Sequence, residues 1–237
     1  MINLQTLSLP RIRDRSLEVE RFYDKGMKIA NILHPLDVQF FNEWGFRHCH
    51  VEVGNDGIAS HYQQGDNIGS MRASAYSPEL ATMLFNKLVS YLGTERSTFY
   101  DGIDAPLNSE WKAVGVNPLW RWIFYPPATG QLVGHYDAPY IESDSKRTLK
   151  TLLIYLTTHS RQEGTTRFLH DAQQSIPKEQ RCWDDWTRVA QPHEVEIENA
   201  CVAGEALLFD HRVLHDVLPM LQSYKMVIRT DIMYERV

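Results

Sequence analysis

Hydrophobic and polar positions change period partway along the chain. Up to residue 92 the apolar residues recur mostly at helical spacing; after residue 118 they fall into short β-branched and aromatic runs separated by turn formers. Ser16, a capping residue, predicts a helix running towards residue 30, with Val19, Phe22 and Met27 on one side. Pro35 opens a second helical segment bearing Phe40, Phe41 and Trp44, and Gly45 closes it. The strongest pattern predicts a helix from Pro78 to Leu92, capped by Ser77, with Glu79 in its first turn and Gly93 at its end. Its stripe of Leu80, Met83, Leu84, Leu88, Tyr91 and Leu92 suits packing on a sheet, where each fully buried Leu or Met contributes roughly 1.5–3 kcal/mol.

Residues 94–118 read as a loop. Beyond them, strands are expected at Trp120–Tyr125, Gln131–Tyr136, Leu149–Leu156, Thr165–Leu169, His193–Ile197, Ala206–Phe209 and Lys225–Tyr234. Turns fall at Pro126-Pro127, Thr129-Gly130, Glu163-Gly164 and Gly204. Residues 171–192, with Trp183, Asp184, Asp185 and Trp186, form the longest unassigned stretch and suit a lid or a small helix. No alternation of strands and helices follows residue 118, so the fold class is mainly β with an N-terminal helical layer.

Length and charge narrow the functions. A chain of 237 residues with Gly 13 and Pro 11 suits one globular domain with a sizeable core. A net charge of −6, without a clustered basic strip, argues against nucleic acid as partner. No run approaches 18 apolar residues, so no membrane span is expected. The mixed charges of Arg11, Arg13, Asp14 and Arg15 do not suit a secretory signal. Cys49, Cys182 and Cys201 lack metal-like spacing, which fits a reducing, cytoplasmic setting.

The sharpest chemical feature is His135-Tyr136-Asp137 in a strand-like segment. Side chains at i and i+2 of a strand share a face, so an imidazole and a carboxylate point the same way. A second imidazole from another strand completes a facial set suited to non-haem Fe(II) with open positions for oxygen. His211 and His215 both follow the apolar strand Ala206–Phe209, and periodicity does not choose between them. His48, His50 and His61 lie near one another in sequence, but no second constellation accompanies them, so they are read as structural. On the last strand Lys225 and Arg229 share a face with Val227 and Asp231; buried cations there need an anionic partner.

These blocks, in order, resemble a known family. Leu119–Tyr125, Gly130, His135-Tyr136-Asp137, Leu152–Leu156, Glu163–Phe168, Gly204–His215 and Lys225–Tyr234 are similar to the core of the Fe(II)- and 2-oxoglutarate-dependent oxygenases, nearest in pattern to the prolyl-4-hydroxylase-like group. The resemblance covers residues 118–234 and implies a double-stranded β-helix, a jelly-roll or cupin-like barrel. It divides a single domain of 1–237 into a helical and irregular buttress at 1–117 and a core at 118–237. It implies Fe(II) held by His135, Asp137 and His215, with His211 as the alternative, and 2-oxoglutarate and O2 as co-substrates.

Lys225, ten residues after His215, matches the basic residue of the prolyl-hydroxylase-like group, and Arg229, at fourteen, that of other branches. Both are candidates for the distal carboxylate, and the bidentate reach of arginine favours Arg229. Tyr125 and Tyr155 match positions that give hydroxyls to the co-substrate. The implied reaction oxidises a C–H bond, by hydroxylation first of all, and releases succinate and CO2. Glu163-Gly164-Thr165-Thr166 departs from the family's usual Gly-Gly, which touches backbone shape at the pocket mouth. Retention of Asp137 argues against the halogenating variant.

Arg121, Arg167, Arg212, Trp183 and Trp186 are weaker candidates for contact with a small, amino-acid-like substrate. Hydroxylation of a peptide side chain, or a cupin-like metal protein that does not use 2-oxoglutarate, are the competing readings. No oligomer interface is legible.

Overall fold

The computed structural model describes residues 15–22, 25–49, 70–96, 109–173, 175–177 and 180–237. The chain opens with two strands, β1 (Glu18–Phe22) and β2 (Gly26–Ala30), followed by helix α1 (Pro35–Cys49). Strand β3 (Met71–Tyr76) leads into helix α2 (Pro78–Leu88), then come β4 (Thr94–Arg96) and β5 (Glu110–Val116). The remaining strands are β6 (Leu119–Tyr125), β7 (Leu132–His135), β8 (Ile141–Ser143), β9 (Lys146–Tyr155), β10 (Thr166–Leu169), β11 (Val195–Asn199), β12 (Ala206–Asp210), β13 (His215–Val217) and β14 (Lys225–Arg236).

These strands make two antiparallel sheets. The larger runs β1-β2-β12-β9-β14, after which the first half of β14 pairs with β6 and β6 with β3, while its second half pairs with β5 and β5 with β4. The smaller sheet runs β11-β10-β13-β7. The two sheets form a double-stranded β-helix, a mainly β fold with both helices packed on the larger sheet.

The apolar runs of the sequence are buried on both faces of that sheet. Trp122, Phe124, Leu152, Ile154, Leu208, Met226 and Ile228 face the helices, joined by Phe41 of α1 and Leu80, Leu84 and Leu88 of α2. Their neighbours Ile123, Tyr125, Leu153, Tyr155, Leu207, Phe209 and Val227 face the barrel interior and meet Phe168 and Val217 of the smaller sheet. Because side chains alternate along a strand, a one-residue slip would exchange the two sets.

Several sequence expectations are corrected. The stretch from Ser16 towards residue 30 is not a helix but the β1–β2 hairpin: Met27 and Ile29 are both buried while Lys28 between them is not, a period of two, and β2 pairs with β12. A Cβ added at Gly26 would lie 2.5 Å from the Leu208 carbonyl oxygen, so glycine permits that pairing. Helix α1 continues past Gly45, where the missing side chain brings the helix onto Trp122 of β6. Helix α2 stops at Leu88 and continues as a 3-10 turn through Tyr91. Its cap is as expected, Ser77 accepting from the Leu80 amide at 3.3 Å.

The loop expected at 94–118 contains β4 and β5, with Trp111 and Ala113 buried between exposed Glu110 and Lys112. Residues before 118 thus supply five strands to the large sheet besides the two helices. His50 and His61 lie outside the described residues; His48 stacks on Trp44, with ring centroids 4.2 Å apart. All three cysteines are free.

Candidate metal centre

Strand pairing itself assembles the centre. His135 ends β7, His215 begins β13, and the two residues are direct partners in the antiparallel register. Their rings therefore lie side by side, with centroids 4.1 Å apart. Asp137 stands two residues beyond β7, anchored by its amide donating to the His211 carbonyl at 2.9 Å. One ligand atom from each of His135, Asp137 and His215 falls within 4.8 Å of the others, the one group of this kind among the described residues.

The imidazole tautomers follow from their partners. Nδ1 of His135 contacts the Val133 carbonyl at 2.8 Å and Nδ1 of His215 the Val213 carbonyl at 2.9 Å. A carbonyl only accepts, so Nδ1 carries the proton in each ring and Nε2 keeps its lone pair. Each Nε2 is 3.9 Å from an oxygen of Asp137. Burial, reinforced by His215, pushes the His135 pKa down to about 4, and burial lowers that of His215. Burial opposes ionisation of Asp137, but Arg229 and the neighbouring histidines hold its carboxyl well below the usual carboxylate range. Two neutral imidazoles and an ionised carboxylate fit Fe(II) with no proton to displace near neutral pH.

A directed hydrogen-bond chain stands behind Asp137. Thr151 Oγ1 donates to Asp137 Oδ2 at 2.5 Å, so it accepts from His211 Nδ1 at 2.9 Å. His211 Nε2 in turn accepts from Thr148 Oγ1 at 2.9 Å, and Thr148 Oγ1 accepts the Tyr140 amide at 2.8 Å. His211 is thus committed on both nitrogens and does not join the other two histidines. The opposite oxygen, Asp137 Oδ1, is 2.7 Å from Arg229 Nη1.

Lys225 and Arg229 occupy different stations on the inner face of β14. Arg229 sits at the metal end, shared between Asp137 and Asp231. Lys225 is fully buried, donates to the Gly164 carbonyl at 2.6 Å and the Thr166 hydroxyl at 3.3 Å, and has no carboxylate within ion-pair distance among the described residues. The rings of Tyr125 and Tyr155 flank its ammonium, with centroids at 5.3 and 5.5 Å. The Tyr155 hydroxyl is buried beside Thr166. Burial lowers the Lys225 pKa. A buried ammonium with only neutral partners fits the distal carboxylate of a dicarboxylic co-substrate.

A cavity of about 240 Å³ joins these parts, lined among others by His135, Asp137, His215, Arg229, Tyr125 and Thr166. Arg121 lines it and pairs with Asp231 at 3.3 Å. Arg167 does not: it is buried against Asp216, with contacts of 2.8 and 2.6 Å that tie β10 to β13. Nor do Arg212, Trp183 and Trp186. Arg212 stacks over Trp183 at 4.2 Å, Trp183 packs on Tyr136, and the Trp186 amide donates to the Gly134 carbonyl at 2.6 Å. The two tryptophans fasten the 180s loop to the outer side of the metal strand, and Asp185 between them reaches the cavity.

Sequence reasoning missed Asp185 as a lining residue, together with Thr151, Thr166 and Arg72. Arg72 lies on β3, whose alternation of Arg72 and Ser74 with buried Ala73 and Ala75 was the available signal.

This is the architecture of a non-haem iron oxygenase that uses 2-oxoglutarate. The chain belongs to the phytanoyl-CoA dioxygenase (PhyH) family, whose sequence profile matches residues 51–219. Its cofactor is Fe(II), and its co-substrates are 2-oxoglutarate and O2. No curated protein sequence matches the chain.

Among solved structures, it is similar to the non-haem α-ketoglutarate-dependent carbocyclase SnoK of nogalamycin biosynthesis, at 13% identity over 89% of this chain and 80% of that one, with a TM-score of 0.51. It is similar to EvdO2 from Micromonospora carbonacea var. aurantiaca complexed with 2-oxoglutarate, at 16% identity over 91% and 89% of the two chains, TM-score 0.50. A prolyl-4-hydroxylase of Pseudomonas putida also aligns, at 14% identity over 86% and 90%, TM-score 0.48. At these identities the likeness is one of fold. No helix among the described residues is long and apolar enough to cross a membrane.

Proposed function

We propose that the protein hydroxylates an unactivated C–H bond of a small molecule, with iron held by His135, Asp137 and His215 and with the distal carboxylate of 2-oxoglutarate on Lys225. The observation that carries this reading is one cavity with a three-ligand group at one end and, behind Tyr125 and Thr166 of its wall, a buried ammonium. When bound, the iron and 2-oxoglutarate supply oxygen activation, with succinate and CO2 as the co-substrate's products.

The chain's own residues have separate tasks. Val133 and Val213 fix the two imidazoles through their carbonyls; Thr151 and Arg229 hold the Asp137 carboxylate in one orientation. Lys225, with Tyr125 and Tyr155 around it, receives the distal carboxylate, and Ile123, Leu153, Phe209 and Val217 line an apolar wall that keeps bulk water from the reacting centre. The cavity lies below the roughly 300–1,000 Å³ of drug-sized pockets, which suits a small substrate beside the co-substrate.

One observation favours a peptide instead: a separate groove of about 590 Å³ lined by Tyr76, Val114, Leu119, Tyr140 and Met233. It lacks the metal group and the buried ammonium, so it is the second reading. The test is anaerobic loading with Fe(II) and 2-oxoglutarate, then admission of O2 with either a metabolite extract or a peptide library. Succinate formed in proportion to a small-molecule product 16 mass units heavier is the expected result. Succinate coupled only to peptide products would reverse the choice.

A further inference from the structure

Among the described residues, Arg72 is the one guanidinium on the cavity wall without a carboxylate partner. It projects from β3 into the space that holds His135, Asp137 and His215. Its Nε is buried without a hydrogen-bond partner, and no ion pair reaches it among the described residues. The other two arginines there are committed, Arg121 to Asp231 at 3.3 Å and Arg229 to Asp137 at 2.7 Å and Asp231 at 3.3 Å. An arginine half-withdrawn from water, with Nε buried and no anion beside it, is a place where an anionic ligand would gain a charge-assisted contact.

2-Oxoglutarate does not supply that anion. It has two carboxylates: Lys225 takes the distal one, and the metal end takes the other. Both stations lie along β14, at Lys225 and beside Arg229, a backbone span of about 13 Å at strand rise. Arg72 stands opposite Ile123, which stands opposite Val227, so its backbone is two strands, or roughly 10 Å, to the side of that line. It therefore stands beside that line, near Tyr125, on a flank of the cavity where a second small molecule can lie next to 2-oxoglutarate.

The charges give the class of group. Arg72, Arg121, Arg229 and Lys225 face Asp137, Asp231 and Asp185, and the charges of Fe(II) and 2-oxoglutarate cancel. Among the described residues a single positive charge is left over, and Arg72 is the cation there without an ion pair. A monoanion balances it, while a phosphate dianion would overshoot. Among the described residues neither helix lines the cavity, so neither offers its N-terminus to a phosphate.

We infer that Arg72 is the receptor for a carboxylate on the primary substrate, so that the enzyme acts on a carboxylic acid small enough to share the cavity with 2-oxoglutarate. This rests on the small-molecule reading of the same site. It adds a specificity residue outside the metal and co-substrate machinery, on a strand contributed by the N-terminal part of the chain.

The test uses the Fe(II)- and 2-oxoglutarate-loaded full chain and a metabolite extract split by anion exchange at high pH. Half of the retained fraction is treated with phosphatase. The consumed compound should lie in the retained fraction and survive phosphatase. For that compound Arg72→Gln should raise KM by roughly 30-fold or more with a smaller change in kcat, as for one partner of a buried charge pair left alone. Arg72→Lys should recover part of the loss.

Binding to the Mn(II)- and 2-oxoglutarate-loaded protein without O2 should weaken by the same factor. On the unaltered protein the carboxamide of the compound should bind more weakly than the acid by a similar factor, a comparison that stands even where the variant folds badly. Consumption of a neutral, cationic or phosphatase-sensitive compound would overturn the inference, as would equal binding of acid and amide. Succinate release coupled only to peptides, or to nothing in either fraction, would instead overturn the small-molecule reading, and the inference with it.

Discussion

Four residues of one strand separate two cations with different work. Lys225 and Arg229 share a face of β14, as their spacing requires, yet Arg229 meets the carboxylate of the metal group and Lys225 meets only neutral atoms. The sequence made both candidates legible. It could not choose between them, because the choice rests on where Asp137 and Asp231 stand in space: the bidentate reach of arginine favours Arg229, while the two carboxylates already on Arg229 favour Lys225. Lys225→Met should weaken 2-oxoglutarate binding by about 2–5 kcal/mol, the range for leaving a buried charge unpaired. Arg229→Gln should cost far less. Titration of 2-oxoglutarate into the Mn(II)-loaded variants measures both, and the reverse ranking would return the role to Arg229.

His211 shows the same limit of sequence. Two histidines four residues apart are equivalent in a pattern; in the fold one joins His135 and Asp137 and the other is spent on Thr151 and Thr148. Burial pushes the pKa values of His211 and His135 down to about 4 in the metal-free protein, whereas an unfolded chain takes up those protons near 6.5. Between those values the unfolded state binds more protons, so native stability falls as pH falls from about 6.5 to about 4. Each such histidine contributes up to about 1.4 kcal/mol per pH unit. His211→Gln should flatten that slope by one group's share, read from urea melts at several pH values in the presence of a chelator. A slope unchanged by the substitution would mean that His211 titrates freely in the native state.

At the scale of elements, the strands of the core were legible because each is a short apolar run bounded by turn residues. Those before residue 118 were harder. Val19, Phe22 and Met27 fit a helical spacing, but the buried positions of β2 follow a period of two, set by pairing with β12. Tertiary pairing overrode a weak local signal. Strand β5 carried the alternation Glu110, Trp111, Lys112, Ala113 and was readable in principle.

Gly45 was misjudged for another reason: glycine ends helices, but it also lets a helix approach a sheet. A Cβ there would lie 2.4 Å from Trp122 Cδ1, whereas one at Gly93 would meet nothing within 4 Å. Gly45→Ala should therefore destabilise the fold by about 1–3 kcal/mol through overpacking, and Gly93→Ala should change stability little. Thermal or urea melts compare the two, and equal stability of both variants would contradict the packing of α1 on β6.

In the whole molecule the grouping of His135, Asp137 and His215 is a product of sheet pairing. The smaller sheet sets His135 beside His215, the turn after β7 brings Asp137 to them, and the larger sheet presents Lys225 across the same interior. The substrate side is less legible in sequence for a related reason. Arg72 comes from a strand joined to the barrel only through β6, and Asp185 from a loop held by Trp183 and Trp186 on the far side of the metal strand. Neither lies near the ligand motifs in sequence, and side chains that meet only through the fold leave no local pattern.

The most direct measurement is an anaerobic crystal structure of the protein with Fe(II) and 2-oxoglutarate. The expected result is one metal ion bound by His135 Nε2, Asp137 and His215 Nε2, with the distal carboxylate of 2-oxoglutarate on Lys225. Metal bound through His211, or a distal carboxylate seated on Arg229, would contradict it.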